Sequence, residues 1–311
     1  MVLANDWTQY KILATGNGEK LEDWNGVILM RPDPQIIWQS QADLAKFEGL
    51  AARYVRKSTG GGAWDKLSKM PDEWDITYKD LTFRLKPMGF KHTGLFPEQA
   101  ANWDNMRALI KVEHDRRKTL VGAGTSRPTH SSPLPSEPVR VLNLFAYTGG
   151  ATIACAKEGA QVTHVDAAKG MVDRAKTNAA LSKIPSNAIR WIVDDCKKFI
   201  EREHRRGQTY DAIIMDPPSY GRGAGGEVWK LEDSLFELMT LAAAILTPNP
   251  LFFLINSYTT GLGATVMANL LHLSLKNHRG HVTAYELGLP TQETNIVLPC
   301  GNSAMWTKDK T

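Results

Sequence analysis

The chain has 311 residues, 42% of them hydrophobic and 23% charged, a composition that suits a globular protein of one large domain or two modest ones. No apolar run approaches the roughly 18 residues of a membrane helix and Met1–Asp6 opens no signal peptide, which sets membrane and secretory roles aside. A net charge of +4 permits a nucleic-acid partner without demanding one, and three scattered cysteines (Cys155, Cys196, Cys300) make neither a disulfide framework nor a zinc spacing, in keeping with a reducing cytoplasm and no metal.

Residues 1–88 read as short strands joined by turns. Gly16-Asn17-Gly18 and Pro32-Asp33-Pro34 are breaks, 26–30 is an apolar run and 76–85 alternates, with Trp38, Trp64 and Trp74 supplying apolar area. A β-rich N-terminal domain is expected. Residues 89–120 form a separate segment ending in a helix, in which Trp103, Met106, Leu109 and Ile110 share a face. The stretch 121–138, with Pro128, Pro133, Pro135 and Pro138 among serines, has no apolar period and is expected to be a flexible linker or loop. Two basic runs, 111–118 and 197–206, interleave acids at helical spacing, so they are either solvated helix faces or RNA-facing surfaces.

Residues 139–311 are more regular. Apolar strand-like runs at 139–145, 161–166, 189–195, 210–216 and 251–257 alternate with helical stretches at 148–158, 168–182, 197–205 and 230–246. A packed helix over 262–275 and closing strands at 281–289 and 295–298 follow. Alternation of this kind predicts a doubly wound α/β domain with a mostly parallel sheet.

In such a sheet ligands bind beyond the carboxyl ends of the strands. Here those ends carry acids: Asp166 after the second strand, Asp194-Asp195 after the third and Asp216 after the fourth. Gathered at one rim, they would repel unless a ligand uses them. A carboxylate at Asp166, about 20 residues past the glycine turn, suits a ribose diol, and one after the third strand can accept from an adenine amino group. The turn Asn143-Leu144-Phe145-Ala146-Tyr147-Thr148-Gly149-Gly150 lacks the G-x-G-x-x-G of dinucleotide sites, and Phe145 and Tyr147 would crowd a pyrophosphate. A nucleoside with a short amino-acid tail, S-adenosylmethionine, fits better.

Asp216-Pro217-Pro218-Ser219-Tyr220 leaves the sheet after Ala212–Met215. Its prolines fix φ twice and remove two N–H donors, leaving carbonyls to accept from an exocyclic amine, and Tyr220 can stack on a base. The alternative is a strand cap in which Asp216 accepts local N–H bonds. The glycine-rich 221–226 is expected to be flexible, as a closing loop or as a passive one.

These motifs, with Gly89–Gln99 and the early stretches 16–22 and 31–35, resemble class I S-adenosylmethionine-dependent methyltransferases. More narrowly, they are similar to the branch that includes bacterial large-subunit ribosomal RNA methyltransferases. The resemblance covers most of the chain and implies a seven-stranded Rossmann-like methyltransferase sheet, with S-adenosylhomocysteine as product. It places Asn143, Phe145 and Gly149 at the methionine end of the cofactor, Asp166 on the ribose, Asp195 on the adenine amine, and Thr93, Phe96 and Gln99 over the site. Tyr147 and Cys196 join this cofactor-binding set, although Cys155 and Cys196 also read as small packing residues. Asp216, Pro217 and Tyr220 face the methyl acceptor. Members that methylate carbon five of a pyrimidine need a cysteine nucleophile, and here Ser219 and Asn256–Gly261 occupy the places where one would stand. The resemblance thus implies methyl transfer to RNA, ribosomal RNA foremost, at a base nitrogen in preference to carbon, in the cytoplasm; a protein or small-molecule amine as acceptor, and a non-catalytic RNA-binding or assembly protein of the same fold, are the alternatives. The histidines form no metal spacing, and His92 reads as a surface residue. Trp191 and Trp229 read as core or interface anchors.

Overall fold

The computed structural model describes residues 1–40, 42–57, 61–89, 91–122, 137–222, 228–259 and 261–309. Most of the expected linker at 121–138 and the glycine run 223–226 lie outside them. The chain forms two compact units: Met1–Ala101 with Leu287–Cys300, and Asn102–Glu286 with Gly301–Thr311.

The first unit is β-rich. A five-stranded sheet runs Tyr10–Gly16, Glu19–Trp24, Val27–Pro32, Leu50–Arg56 and Gly62–Lys66 in spatial order, beside a hairpin of Trp74–Tyr78 and Leu81–Leu85. Two of its turns are Asn-Gly pairs in the left-handed region, Asn17-Gly18 (φ 55° and 78°) and Asn25-Gly26 (φ 59° and 88°), the chemistry that tight hairpins require. Its interior holds an ion pair as well as apolar side chains. Glu22 is fully buried and accepts from Arg31 Nε (2.5 Å), Arg31 Nη2 (2.7 Å) and the Tyr10 hydroxyl (2.8 Å). Burial alone would raise the Glu22 carboxyl, but Arg31 and Lys20 outweigh it and hold it at about 2.

The second unit carries the doubly wound sheet. Its strands are β1 (Arg140–Leu144), β2 (Gln161–Asp166), β3 (Ile189–Val193), β4 (Ala212–Met215), β5 (Phe252–Ser257), β6 (Gly280–Pro290) and β7 (Val297–Lys308), in the order β6-β7-β5-β4-β1-β2-β3. The helices are α1 (Ala100–Gly122), α2 (Gly150–Lys157), α3 (Lys169–Leu181), α4 (Cys196–Arg205), α5 (Leu231–Ala243) and α6 (Ala264–Ser274). The pairs β1–β2, β2–β3, β1–β4 and β4–β5 are parallel, and β7 runs antiparallel to β5. β4 and β5 are buried at every residue, as strands covered on both faces must be. The first-unit end of β6, Leu287–Gly288, pairs with the short parallel strand Val2–Leu3, an eighth strand beyond the seven expected.

Three details differ from the sequence reading. β7 is 12 residues long where a strand of four is expected, because its polar Asn302 and Ser303 pair with β5 and hide the apolar period. Tyr220–Arg222 and Val228–Lys230 form an antiparallel hairpin at the flanks of the stretch expected to be flexible. Part of the basic run 111–118 is neither a solvated face nor a free surface: Glu113 and Arg117 are buried, and Arg117 bonds both Glu113 (2.9 Å) and Asp211 (3.2 Å). Among the described residues no helix is long and apolar enough to cross a membrane.

Candidate active site

The chain climbs outward through β1, β2 and β3 and returns beside β1 as β4. The carboxyl ends of β1 and β4 are therefore neighbours at the point where strand order reverses, the place where open α/β sheets bind ligands.

The turn after β1 is shaped by backbone conformation. Phe145, Tyr147 and Gly149 have φ of 55°, 50° and 87°. Left-handed conformations at two non-glycine residues cost on the order of 1–3 kcal/mol each, so the surroundings must impose them. They do so by capturing the N–H groups: Phe145 N–H donates to Cys196 Sγ (3.4 Å), Ala146 N–H to the Val165 carbonyl (3.0 Å) and Tyr147 N–H to Asp166 Oδ2 (2.8 Å). The two glycines are spent on packing. A Cβ on Gly149 would come within 3.0 Å of the Ala175 methyl, and one on Gly150 within 2.7 Å of the Trp103 ring. Gly149 caps α2 without a side-chain hydrogen bond, so α2 starts two residues later than the Thr148 expected.

Beneath the turn lies a buried polar chain. Asn143 Nδ2 donates to Thr152 Oγ1 (2.8 Å), which is 2.9 Å from His164 Nδ1. All three residues are buried, so Asn143 acts under the turn. Burial, with a smaller push from Lys176, lowers the His164 imidazole to about 3, which keeps it neutral. Nothing in the sequence reading marked Thr152 or His164. The signal was present: a histidine in the middle of an otherwise apolar strand needs a partner.

The acids do not behave alike. Asp166 is half-buried and accepts from Tyr147 N–H and Ala168 N–H, one on each oxygen at 2.8 Å. Burial raises its carboxyl above the ordinary range, and the two N–H bonds pull the other way. Each oxygen keeps a lone pair, enough for two hydroxyls of a diol. Asp195 is exposed and caps α4 through Oδ1, which accepts from Lys198 N–H (2.9 Å). Its other oxygen is left for an amino group. Asp194 instead pairs with Arg202 (2.6 Å). These acceptors fit the hydroxyl and amino donors of the ribose and adenine of S-adenosylmethionine. Cys196 is buried, with its thiol raised by burial, and serves as an acceptor for the turn.

At the end of β4, Asp216 is half-buried, Pro217 buried and Tyr220 exposed (54%). The expectation that the turn's carbonyls stand ready for an amine holds only in part. Pro218 O accepts from Trp229 Nε1 (2.6 Å) and Ser219 O from Leu231 N–H (3.1 Å), while Ser219 Oγ lies 2.6 Å from Thr259 Oγ1. With no N–H of their own, the prolines leave the turn to be held by outside donors. The Pro217 carbonyl has no partner among the described residues.

Thr93, Phe96 and Gln99 belong to the first unit. Thr93 is fully buried, and its hydroxyl has no partner among the described residues; Phe96 precedes the short helical turn Pro97–Gln99, in which Gln99 is buried. His92 is half-buried with its ring 5.2 Å from Phe96, not on the surface, and burial with Arg31 and Lys91 lowers it to about 4. Two clefts are present: about 460 Å³ in the first unit beside Arg53 and Arg56, and about 230 Å³ in the second unit at the amino ends of β1–β3 beside Arg140 and Arg190. Neither contains any of the acids at the carboxyl ends. Among the described residues no group of three or more His, Cys, Asp or Glu side chains could hold a metal ion.

A family model described as S-adenosylmethionine-dependent methyltransferase matches residues 136–255. The crystal structure of a SAM-dependent methyltransferase from Agrobacterium tumefaciens is similar with a TM-score of 0.85 at 30% identity, covering 99% of this chain and 93% of that one. A ribosomal RNA large subunit methyltransferase K/L of Syntrophotalea carbinolica is 25% identical over 205 residues, 65% of this chain and 25% of that protein. A ribosomal RNA large subunit methyltransferase K of Neisseria meningitidis serogroup B is 25% identical over 225 residues, 69% of this chain and 56% of that protein. The match spans about a quarter of the first relative's length and about half of the second's.

Proposed function

The chain belongs to the S-adenosylmethionine-dependent methyltransferases, and from that premise we propose that it methylates a base nitrogen of ribosomal RNA. The observation that carries the reading is the Asp216-Pro217-Pro218-Ser219 turn, set at the carboxyl end of β4 directly beside the turn of β1. The RNA relatives support the acceptor class. The cysteines support nitrogen over carbon. Methylation at carbon five of a pyrimidine needs a thiolate, whereas burial holds Cys155, Cys196 and Cys300 all above the ordinary thiol range, and none stands in the Asp216 turn.

Bound S-adenosylmethionine supplies an electrophilic methyl group on a sulfonium sulfur. Asp166 and Asp195 hold its ribose and adenine, with Phe145, Tyr147 and Gly149 shaping the wall. The Asp216 carboxylate and the Pro217 carbonyl accept N–H bonds from the acceptor amine, turn its lone pair toward the methyl group and stabilise the positive charge that develops on nitrogen. Tyr220 offers an exposed ring on which a base can stack, a contact of about 1–3 kcal/mol.

Ribosomal RNA from a strain lacking this gene, incubated with the protein and methyl-labelled S-adenosylmethionine, tests the reading. Label should enter large-subunit RNA at a base nitrogen, and Asp216→Ala should keep cofactor affinity while losing most transfer. RNA that stays unlabelled while a protein or small amine takes up methyl contradicts it.

A further inference from the structure

We propose that Trp229 is a positioning residue that locks the acceptor turn to the cofactor turn; this deepens the methyltransferase reading and rests on it. Three contacts meet at this side chain. Its Nε1 donates to the Pro218 carbonyl at 2.6 Å. Its ring lies 6.0 Å from the Phe145 ring, tilted by 43°. Its backbone pairs with Gly221 in the hairpin that follows the Asp-Pro-Pro motif, and two residues on, Leu231 N–H holds the Ser219 carbonyl.

The chemistry explains why an indole stands there. Consecutive prolines cannot donate, so the turn has to be fixed through its carbonyls. Indole is a rigid donor with no acceptor to compete, and its ring makes a tilted contact with an aromatic ring at the same time. Phe145 is itself pinned in a left-handed conformation by the bond from its N–H to Cys196. The position of Phe145 is therefore tied to that of Pro218 through one rigid side chain. Trp229 touches neither methyl donor nor acceptor in this assignment. It sets the distance and angle at which Asp216 and Pro217 present the amine.

The test uses Trp229→Phe, which keeps the ring and removes the donor, with Trp229→Ala as the variant that removes both. For Trp229→Phe, S-adenosylmethionine affinity by calorimetry should stay within about twofold of wild type, with acceptor KM little changed and kcat lower by on the order of tenfold, the signature of misalignment. Trp229→Ala should also weaken cofactor binding. A Trp229→Phe protein with wild-type kcat overturns the assignment. A second arm needs no acceptor. The chain has nine tryptophans, and addition of S-adenosylmethionine should alter their emission in wild type, the change being largely lost in Trp229→Phe at unchanged affinity. Equal changes in both proteins, or none in wild type, overturn the coupling. Wild type that fails to label ribosomal RNA counts against the RNA reading alone, and the emission arm then decides on Trp229.

Discussion

Asp166 holds the turn of β1 through Tyr147 N–H, and the proposed function asks the same carboxylate to serve a ligand as well. Asp166→Asn keeps one acceptor and removes the charge, so S-adenosylmethionine affinity measured by calorimetry should fall roughly 10- to 100-fold, the value of hydrogen bonds to a charged group. Unchanged affinity contradicts the assignment. The pH dependence has a definite sign. Because burial raises the folded-state value, Asp166 favours the ligand-free fold most in acid and loses that contribution as pH rises through the raised value. Cofactor binding needs the ionised form and runs the opposite way, weakening as pH falls through the same value. The acids at the strand ends were legible in the sequence because an ionisable residue closing an apolar run has few uses apart from a ligand or a cap. Asp195 is a cap through Oδ1, and the use proposed for its other oxygen is the adenine amine. Cys196, by contrast, acts through its sulfur on a backbone N–H 51 residues away, which no local pattern announces.

At the scale of elements, α1 is anchored to the sheet unit by charge as much as by its apolar face. Glu113 is buried and bonded by Arg116 (2.7 Å), Arg117 (2.9 Å) and Lys308 (2.7 Å), while Trp103, Met106 and Ile110 pack below. Burial would raise the Glu113 carboxyl, but these cations bring it down from 4.5 to about 2. A depressed acid stabilises the fold above its unfolded value, and this contribution is lost as pH falls from about 4.5 toward 2. Glu113→Gln should therefore cost about 1–3 kcal/mol in denaturant unfolding at pH 7, since it weakens charge-assisted hydrogen bonds from the buried Arg117, which keeps Asp211, and from the partly exposed Arg116 and Lys308, and the deficit should shrink as the pH is lowered across that window. A variant as stable as wild type at pH 7 contradicts the anchoring role. The helices and parallel strands were readable because burial on one or both faces leaves a period in the sequence. β7 and the paired strands Tyr220–Arg222 and Val228–Lys230 were not, since they are specified by cross-strand partners and carry glycine and polar residues of their own.

For the whole molecule, the division of the chain was the least legible feature. The proline- and serine-rich stretch 121–138 marks a change in composition, yet it joins α1 to β1 within the second unit, and the first unit recruits Leu287–Cys300 from near the other end of the chain. Such a return is a long-range pairing that local composition does not encode. The doubly wound architecture was legible because it is a rhythm of elements, and the ligand rim follows from that rhythm. The central claim is that the carboxyl rim of β1–β3 holds an adenosyl cofactor. A crystal structure of the protein with S-adenosylhomocysteine tests it most directly. The ribose hydroxyls should lie within hydrogen-bond distance of Asp166 and the adenine amine within reach of Asp195; a ligand bound in the cleft beside Arg53 or the cleft beside Arg140, with the rim empty, would contradict the account.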